Sequence, residues 1–284
     1  MIDPLVSIGI PCFNGEKTIE KTISFLLEQS YRKIEIIISD DNSQDNTKNI
    51  LKKFNDERIR IFYQNKNLGS TENFKNVLSK AKGLFFMWLA QDDWIDSNYI
   101  EVIIKYFKQN NEYVLISGDP KFYLNGFPAK KLKKAINIFN DDDPIKRMIQ
   151  YITTVEDNSI FYGITRTNLL RSVNYSNFLG NDWMIVLGLL FQGKAKQIKN
   201  VYIYRDIGGT GKSFKNIVRV FRLNKLVAYF PYLFMSFYFT QNIFSSKCFF
   251  NCSIYQKIKI SFLISLFLQK RIFKRRFLKI INLN

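Results

Sequence analysis

The sequence contains no histidine, and its 284 residues include only three cysteines, Cys12, Cys248 and Cys252. Without histidine the protein can use neither a Ser-His-Asp nor a Cys-His mechanism, and it lacks the commonest metal-binding side chain. Three cysteines without a repeated CxxC pair indicate neither a disulfide framework nor a zinc site, and they favour a reducing cytosolic location. A general base in this protein must therefore be a carboxylate, a lysine or a tyrosine.

Acidic residues are missing from the last quarter of the chain. The last one is Asp206, and residues 211–284 contain 14 basic residues and no acidic one. Residues 1–210 carry 28 basic and 24 acidic residues, so most of the net charge of +18 belongs to the C-terminal segment. We therefore expect a globular domain over residues 1–210 and a basic tail over residues 211–284 that meets a polyanionic surface.

Long hydrophobic runs are also missing. The segment from Leu226 to Thr240 has 15 largely apolar residues with a proline inside, which is shorter than the roughly 20 needed to span a bilayer. The segment from Lys257 to Ile281 places basic and large apolar residues at helical spacings, namely Lys270, Arg271, Lys274 and Arg275 beside Phe262, Leu266, Phe273 and Phe277. A basic amphipathic helix of this kind can lie in the headgroup region of an anionic membrane.

We expect the basic tail to be helical and to hold the protein at an anionic membrane. Its aromatic residues lie in long apolar runs rather than singly between basic residues, which suits lipid better than nucleic-acid bases, so no nucleic acid is expected as a partner. The alternative is a tail that packs on its own domain with its charges merely solvated. The apolar run from Leu5 to Ile10 is too short for a signal peptide, and the expected location is cytoplasmic, peripheral on the inner face of the plasma membrane.

The first hundred residues alternate between apolar runs and helical patterns, as the βαβ units of a parallel sheet do. The predicted strands are Leu5–Ile10, Ile34–Ser39, Ile59–Tyr63 and Leu84–Leu89, and the predicted helices between them are Lys17–Gln29, Asp45–Phe54 and Ser70–Ala81. The segment from Asp119 to Asp143 is predicted to form loops and short strands beside an acceptor groove. A helix over Asp182–Phe191 and a strand over Gln197–Tyr204 complete the predicted α/β domain.

Two acidic pairs directly follow predicted strands. Asp40 and Asp41 come after the second strand, and Asp92 and Asp93 come after the fourth. In open α/β sheets, ligands bind outside the carboxyl ends of the strands. Both acidic pairs are therefore placed where a ligand would bind.

Three strings in this part of the chain carry a resemblance to a known family: VSIGIPCFNGEKTIEKTISFLLEQSY, IEIIISDDNSQDNT and NLGSTENFKNVLSKAKGLFFMWLAQDDW. They cover roughly residues 5–94 and resemble, in order and spacing, the inverting glycosyltransferases of family 2, which have the GT-A fold. A later string, FLGNDWMIVLGLLFQGKAKQI, looks like the family's acidic-aromatic acceptor motif. The resemblance implies an α/β fold with a Rossmann-like, mixed and mostly parallel sheet, followed here by the helical basic tail.

The resemblance places a nucleotide-sugar donor at the turns after the first two strands. Pro11, Phe13 and Asn14 form a turn that can hold a planar base against an aromatic face and meet its edge with an amide. In the SDDNS turn, Asp41 with its neighbour Asp40 can accept a hydrogen bond from a uracil N–H or a ribose hydroxyl. A helix-capping turn is the alternative for these two residues, because Asp, Asn and Ser are favoured there.

The pair Asp92 and Asp93 is the predicted metal site. Two adjacent carboxylates are hard oxygen ligands suited to Mg²⁺ or Mn²⁺ bound together with a diphosphate, and such an ion neutralises charge on the departing nucleoside diphosphate. The sequence departs from the commonest family pattern because Ala90 stands where an aspartate precedes this pair by two positions. A single carboxylate, Asp92, with the diphosphate supplying other ligands is therefore the expected arrangement, and Asp92 is also counted among the donor contacts.

Asp182 is the predicted general base. Inverting transfer needs a carboxylate opposite the leaving diphosphate that takes the proton of the acceptor hydroxyl as its oxygen attacks the anomeric carbon. The alternative is a capping role for Asn181 or Asp182 at the start of a helix. Asn73, in the third string, and Arg205 are further expected contacts to the nucleotide-sugar, and a structural role for Arg205 is the alternative.

Together these expectations describe a hexosyltransferase-like enzyme that moves a sugar with inversion from a nucleotide-diphospho-sugar to a hydroxyl acceptor. The basic tail suggests that the acceptor is a glycan or lipid-linked molecule, such as a precursor of a surface polysaccharide. One alternative is a nucleotidyltransferase or another nucleotide-sugar enzyme. Another is a non-catalytic protein that binds membranes or nucleic acid.

Overall fold

The computed structural model describes residues 3–124, 127–129, 137–206 and 213–281. Within these residues one sheet contains β1 (Val6–Cys12), β2 (Ile34–Asp40), β3 (Ile59–Tyr63), β4 (Phe85–Trp88), β5 (Trp94–Ile95), β6 (Tyr113–Leu124), β7 (Phe127–Pro128), β8 (Ile138–Phe139), β9 (Ile164–Arg166) and β10 (Lys194–Asp206). The strands lie in the order β3-β2-β1-β4-β9-β6-β10-β5, with β7 paired to β6 and β8 to β10. Strands β1 to β4, and β6 with β10, pair in parallel, whereas β5, β7, β8 and β9 pair antiparallel. The predicted Rossmann-like, mixed and mostly parallel sheet is confirmed.

Helices precede and follow the strands as the sequence pattern predicts in the first hundred residues. The helices are α1 (Ile19–Leu27), α2 (Thr47–Leu51), α3 (Ser70–Lys80), α4 (Tyr99–Gln109), α5 (Pro144–Thr154), α6 (Thr167–Arg171), α7 (Asn181–Gln192), α8 (Phe214–Val220), α9 (Leu226–Tyr229), α10 (Pro231–Ser245) and α11 (Ile254–Ile281). A 3₁₀ turn over Ser159–Tyr162 lies between α5 and β9. This turn borders the candidate site described below.

Apolar side chains form two cores, one on each face of the sheet. In β4, Phe86 and Trp88 belong to one core, and Phe85 and Met87 belong to the other, because successive side chains of a strand point to opposite faces. Helices α1 and α4 cover one face, and α3, α5 and α7 cover the other. Burial on both faces is the reason that the strand sequences are almost continuously apolar.

The segment predicted as loops and short strands from Asp119 to Asp143 differs from the structure at its start. Strand β6 extends to Leu124 and pairs with β10 as far as Tyr123. Its outer half is polar and aromatic rather than apolar, which is why loops and short strands were expected there instead of the end of one long strand. Residues 130–136, in the middle of the predicted segment, lie outside the described residues.

The helices of the basic tail pack against the domain. They contribute buried apolar side chains to the core that also contains α5 and α7, namely Val218, Val227, Tyr232, Met235, Phe239, Ile243, Phe249, Ile260, Ile264 and Leu268. The approach is close at the start of α7, where a Cβ atom added to Gly180 would lie 2.6 Å from Met235 Cε. These contacts match the alternative stated for the tail, a tail that packs on its own domain.

The predicted boundary at residue 210 lies in the segment 207–212, outside the described residues, and the division into two parts stays a prediction. The same holds for the side chains of Phe273, Lys274, Arg275 and Phe277 in the predicted amphipathic pattern, since side chains after Arg271 lie outside the described part. In the part of the chain that the structure describes, no helix has both the length and the apolar sequence needed to cross a bilayer.

Candidate active site

The turns after β1 and β2 are tied together by backbone and side-chain hydrogen bonds. The amide of Asp41 donates to the carbonyl of Cys12 at 2.8 Å, and the amide of Asn14 donates to Ser43 Oγ at 2.8 Å. Asn14 has a φ of 50° and accepts at its Oδ1 from the amide of Gln44 at 2.9 Å. The backbone of Asn14 therefore adopts a left-handed conformation that most residues avoid, and the bond from Gln44 holds its side chain.

The neighbours of Asn14 in this turn differ in exposure. Pro11 is half-buried within β1, whereas the ring of Phe13 is 42 % exposed. An exposed aromatic ring at the carboxyl end of a central strand offers a face on which a planar base can stack. The structure thus leaves Phe13 accessible for the role that the sequence predicts.

The carboxylates of Asp40 and Asp41 are buried and bonded within the protein. Asp40 accepts from the amide of Ser43 at 3.3 Å and from its hydroxyl group. Asp41 accepts from the amides of Leu68 and Gly69 at 2.7 and 2.9 Å, just before α3. Both carboxylates therefore shape loops at the carboxyl edge of the sheet, and a contact to the nucleotide stays a prediction for each.

The side chain of Asn73 links the carboxyl ends of β1 and β2 through hydrogen bonds. Its Nδ2 donates to the carbonyls of Cys12 and Ser39 at 3.2 and 3.0 Å. The residue is 2 % exposed, and its Oδ1 is buried without a hydrogen-bond partner in the described structure. Asn73 therefore holds together the strand ends that carry the predicted donor-binding turns.

A depression of about 440 Å³ connects the turn after β1 with the end of β4. It is lined by Asn14, Glu16, Lys17, Thr18, Asp45, Gln91 and Asp92. Gln91 accepts from the amide of Phe13 at 2.9 Å and donates from Nε2 to its carbonyl at 3.2 Å. The depression therefore brings the predicted base-binding turn and the first predicted metal ligand to one surface. Gln91 was not among the predicted residues, and only its place next to Asp92 could have indicated it.

The two members of the predicted metal pair have different surroundings. Asp93 is 1 % exposed and accepts from Arg205 Nε at 3.4 Å and from the amide of Asp206 at 3.2 Å. Burial raises the pKa of its carboxyl group to about 7, although the Arg205 charge acts in the opposite direction. Asp93 therefore faces β10, and Asp92 is the carboxylate that lines the depression.

Asp92 is half-buried, and burial raises the pKa of its carboxyl group. The negative charge of Asp206 raises this pKa further, and the charge of Arg205 lowers it. Among the described residues no three cysteine or acidic side chains are grouped closely enough to hold a metal ion by themselves. The residues fit an ion shared between one or two carboxylates and a substrate phosphate, which is how Mg²⁺ is commonly bound.

Arg205 connects the metal pair with the 3₁₀ turn. Its Nη1 donates to Ser159 Oγ at 3.0 Å, and its guanidinium lies 4.4 Å from the centroid of the Tyr162 ring. The side chain is 21 % exposed. Arg205 is therefore held by a carboxylate, a hydroxyl and an aromatic face, while about a fifth of its side chain remains exposed.

Asp182 lies in the first turn of α7, after Gly180, which has a φ of +85°. Its Oδ2 accepts from Asn158 Nδ2 at 2.8 Å. Burial raises the pKa of the Asp182 carboxyl group, while the Asn158 hydrogen bond, the first amides of α7 and the Arg205 charge lower it. A raised pKa makes a carboxylate a stronger proton acceptor near neutral pH.

The half-buried ring of Tyr162 lies beside Arg205. Burial raises the pKa of the Tyr162 hydroxyl, the charge of Arg205 lowers it, and the charges of Asp93, Asp182 and Asp92 raise it. The contacts place Arg205 against Asp93, Ser159 and Tyr162. The charges of Asp92 and Asp182, which lie on separate segments of the sequence, affect the same hydroxyl.

The match to a known family covers more than half of the chain. The sequence model described as Glycosyl transferase family 2 matches residues 7–173, which include β1 to β4 and the 3₁₀ turn. The chain belongs to glycosyl transferase family 2. The resemblance stated from the three sequence strings is confirmed, and the protein is a glycosyltransferase.

This glycosyltransferase is similar to bacterial enzymes of polysaccharide assembly. It is 28 % identical over 231 residues to the GalNAc(5)-diNAcBac-PP-undecaprenol beta-1,3-glucosyltransferase of Campylobacter jejuni, a match that covers 77 % of this chain and 71 % of the relative. Two further bacterial relatives are matched over 61 % and 44 % of their lengths, which is less than two thirds.

Solved structures support the GT-A fold of this glycosyltransferase. The complex of S. aureus TarS 1–349 with UDP-GlcNAc has a TM-score of 0.62 at 17 % identity, and the match covers 90 % of this chain and 70 % of TarS 1–349. The Pyrobaculum calidifontis mannosyltransferase PcManGT in complex with GDP-Man and Mn²⁺ has a TM-score of 0.54 at 14 % identity, with 81 % and 64 % covered. None of these matches favours a nucleotidyltransferase or a non-catalytic binding protein.

Proposed function

We propose that this glycosyltransferase transfers a hexose with inversion from a uridine-diphosphate sugar to a hydroxyl group of a lipid-linked glycan. The contact of Arg205 with Asp93 and Tyr162 carries this proposal, because a diphosphate bound there would lie beside Asp92, and the charge of Arg205 also acts on Asp182. UDP-GlcNAc in the TarS complex supports the donor class. The undecaprenol-linked acceptor named for the Campylobacter jejuni relative supports the acceptor class.

On the donor side, the exposed Phe13 ring stacks on the base, and Pro11 and Asn14 shape the turn beneath it. Asp41 and Asp40 order the loops that border the ribose. Asn73 fixes the ends of β1 and β2, after which these loops begin. Because Phe13 is exposed whereas Asp40 and Asp41 are buried, substituting Phe13 should weaken donor binding more directly than substituting the two carboxylates.

On the diphosphate side, Asp92 and Arg205 carry the proposed contacts. The guanidinium donates to the phosphate oxygens as the bond between the anomeric carbon and the diphosphate breaks and the nucleoside diphosphate leaves with the bonding electrons. A divalent ion, Mg²⁺ or Mn²⁺, held by Asp92 and the substrate would neutralise charge on the leaving group. Asp93, the second predicted ligand, fixes Arg205 through its hydrogen bond at 3.4 Å.

On the acceptor side, Asp182 is the proposed base. Its carboxylate takes the proton of the acceptor hydroxyl as the hydroxyl oxygen forms the new bond to the anomeric carbon on the face opposite the diphosphate. Asn158 donates to the Oδ2 atom of this carboxylate and thereby holds it in one orientation.

We also propose that the basic tail attaches the enzyme to the inner face of the plasma membrane. Its helices bury one set of apolar side chains and expose another, which includes Tyr229, Phe230, Leu233, Phe237, Ile254, Tyr255, Ile258 and Phe262. Exposed large apolar residues on a strongly basic segment are suited to the headgroup region of an anionic bilayer. A lipid-linked acceptor would be reached from this position.

Product analysis tests the proposed reaction. Purified protein is incubated with radiolabelled UDP-glucose or UDP-GlcNAc, Mn²⁺ and GlcNAc-diphospho-undecaprenol in detergent. We expect label in the lipid and one free UDP per transfer, and we expect Asp182→Asn to keep UDP binding while turnover falls by roughly 10³-fold or more. Asp142→Asn, at an exposed carboxylate, is the control and should behave as wild type. Release of pyrophosphate, or near-normal turnover of Asp182→Asn, would refute the proposal.

A further inference from the structure

Arg271 of α11 contacts the domain. Its Nη1 donates to the carbonyl of Ile152 at 2.8 Å, and its Nη2 donates to the carbonyl of Val155. Its guanidinium lies 5.0 Å from the centroid of the Trp183 ring, and Trp183 follows Asp182 in the chain. A basic residue of the tail is therefore in contact with two elements next to the proposed base.

The carbonyls that Arg271 binds belong to the C-terminal end of α5. The last carbonyls of a helix have no partner within the helix, and a positive charge is favourable there. The amide of Val155 donates to the carbonyl of Tyr151. The end of α5 therefore also fixes the backbone of Tyr151, whose side chain points to the proposed site. Arg271 thus closes the end of α5 on the side that faces α7.

A hydrogen-bonded relay continues from this helix end to the proposed base. The hydroxyl of the buried Tyr151 donates to Asn158 Oδ1 at 2.6 Å, and Asn158 Nδ2 donates to Asp182 Oδ2 at 2.8 Å. The Tyr151 bond determines which end of the Asn158 amide faces Asp182. We define Arg271, Tyr151, Asn158 and Asp182 as the base relay.

We propose that Arg271 is a positioning residue for Asp182, and that it acts by holding the end of α5 from which Tyr151 and Asn158 orient the carboxylate. The inference rests on the proposed function, in which Asp182 is the base. If Arg271 positions Asp182, the packing of α11 against the domain is required for a high kcat. A general base must be held close to the reacting geometry, and a displacement of about 1 Å can cost about 10²-fold in rate.

The identity of the residue follows from the geometry. An arginine fork donates from two nitrogen atoms to two different carbonyls at once, and its plane also lies against Trp183, whereas a lysine presents a single point charge. The charged and titratable groups around Asp182 are Arg205 from β10, Tyr151 from α5, Tyr162 from the 3₁₀ turn, and Tyr175 before α7. Tyr151 belongs to the last turn of α5, and among these groups none donates to the carbonyls of Ile152 and Val155 as Arg271 does.

Four variants of the full chain test the relay, with UDP-glucose or UDP-GlcNAc as donor and GlcNAc-diphospho-undecaprenol as acceptor. Arg271→Gln should lower kcat about 10- to 100-fold with the donor KM unchanged, and Arg271→Lys should restore part of the loss. Tyr151→Phe, which keeps the buried ring and removes the hydroxyl group, should lower kcat in the same direction. Lys146→Gln removes an exposed charge from α5 itself and should match wild type.

A measurement without substrate separates positioning from a general loss of stability. Carbon-13 NMR of the carboxyl groups, assigned with Asp182→Asn, reports the Asp182 pKa in each variant. Loss of an oriented Asn158 donor should raise this pKa in Arg271→Gln and Tyr151→Phe but not in Lys146→Gln, because that hydrogen bond favours the ionised carboxylate.

The outcomes distinguish the relay from the base assignment. If Asp182→Asn remains active, the proposed function is wrong. If Asp182→Asn is inactive while Tyr151→Phe and folded Arg271→Gln keep the wild-type kcat and Asp182 pKa, the base stands and the relay is overturned. Should Arg271→Gln fail to fold, Tyr151→Phe alone decides: a wild-type kcat and pKa in that variant overturn the relay.

Discussion

Phe239 of α10 provides the most direct test of whether the basic tail is part of the folded core. Its side chain is 1 % exposed, and its ring lies edge-on to Phe178, with the ring centroids 6.0 Å apart. Phe178 lies just before α7, three positions ahead of its first residue. Removing the Phe239 ring would therefore leave a cavity between the tail and the segment that leads to Asp182.

The expected cost of Phe239→Ala follows from this burial. Replacing a buried Phe by Ala lowers the free energy of unfolding by about 3–5 kcal/mol, of which roughly 0.5–1.5 kcal/mol reflects the aromatic pair. For a chain of 284 residues we expect Tm to fall by about 5–8 °C. The matched control is Phe237→Ala, two positions away on the same helix and 64 % exposed, for which the change should stay within about 0.5 kcal/mol.

Thermal and urea unfolding, followed by circular dichroism and by tryptophan fluorescence, measure the difference between the two variants. A tail that shares the core should unfold together with the domain, so both probes should report one transition at the same midpoint. The reasoning is refuted if Phe239→Ala and Phe237→Ala have the same Tm. It is also refuted if Phe239→Ala loses helical signal in a separate early step while the domain transition stays unchanged.

Three further predictions address the site and the tail. Transfer should fall as the pH decreases through the raised pKa of Asp182, because only the ionised carboxylate accepts a proton; a kcat profile whose acidic limb lies at the ordinary aspartate pKa would contradict this. Arg205→Lys should lower kcat about 10-fold or more, because lysine cannot donate to Asp93, Ser159 and a phosphate from one planar group, and an unchanged kcat in steady-state assays would exclude the proposed contact. The double variant Tyr255→Glu with Phe262→Glu should weaken sedimentation with phosphatidylglycerol vesicles at an unchanged Tm, since both side chains are exposed; equal sedimentation would remove these residues from the membrane contact.

The first four strands could be predicted from sequence because their apolar runs are dictated by burial on both faces. Asp92 was found because ligands bind at the carboxyl ends of such strands. The first turn of α7 was predicted from its apolar repeat, which places Asp182 at a helix start. In each case a local pattern and a general rule of sheet architecture are sufficient.

The partners of these residues could not be predicted, because they come together only in the tertiary structure. Asn158 lies 24 positions before Asp182 and Arg205 lies 112 positions after Asp93, and neither pair leaves a periodic signal. The packing of the basic tail could not be predicted either, because some of its apolar residues pack into the core whereas others are exposed. Phe239 is buried and Phe237 is exposed, yet both belong to the same run of aromatic residues.

The configuration of the newly formed glycosidic bond tests the central claim most directly. With UDP-α-glucose as donor, proton NMR of the purified glycosylated acceptor reports whether the transferred sugar is α- or β-linked. Attack from the face opposite the diphosphate, with Asp182 as base, predicts a β-linked product and no product from Asp182→Asn. An α-linked product would contradict the proposed in-line transfer.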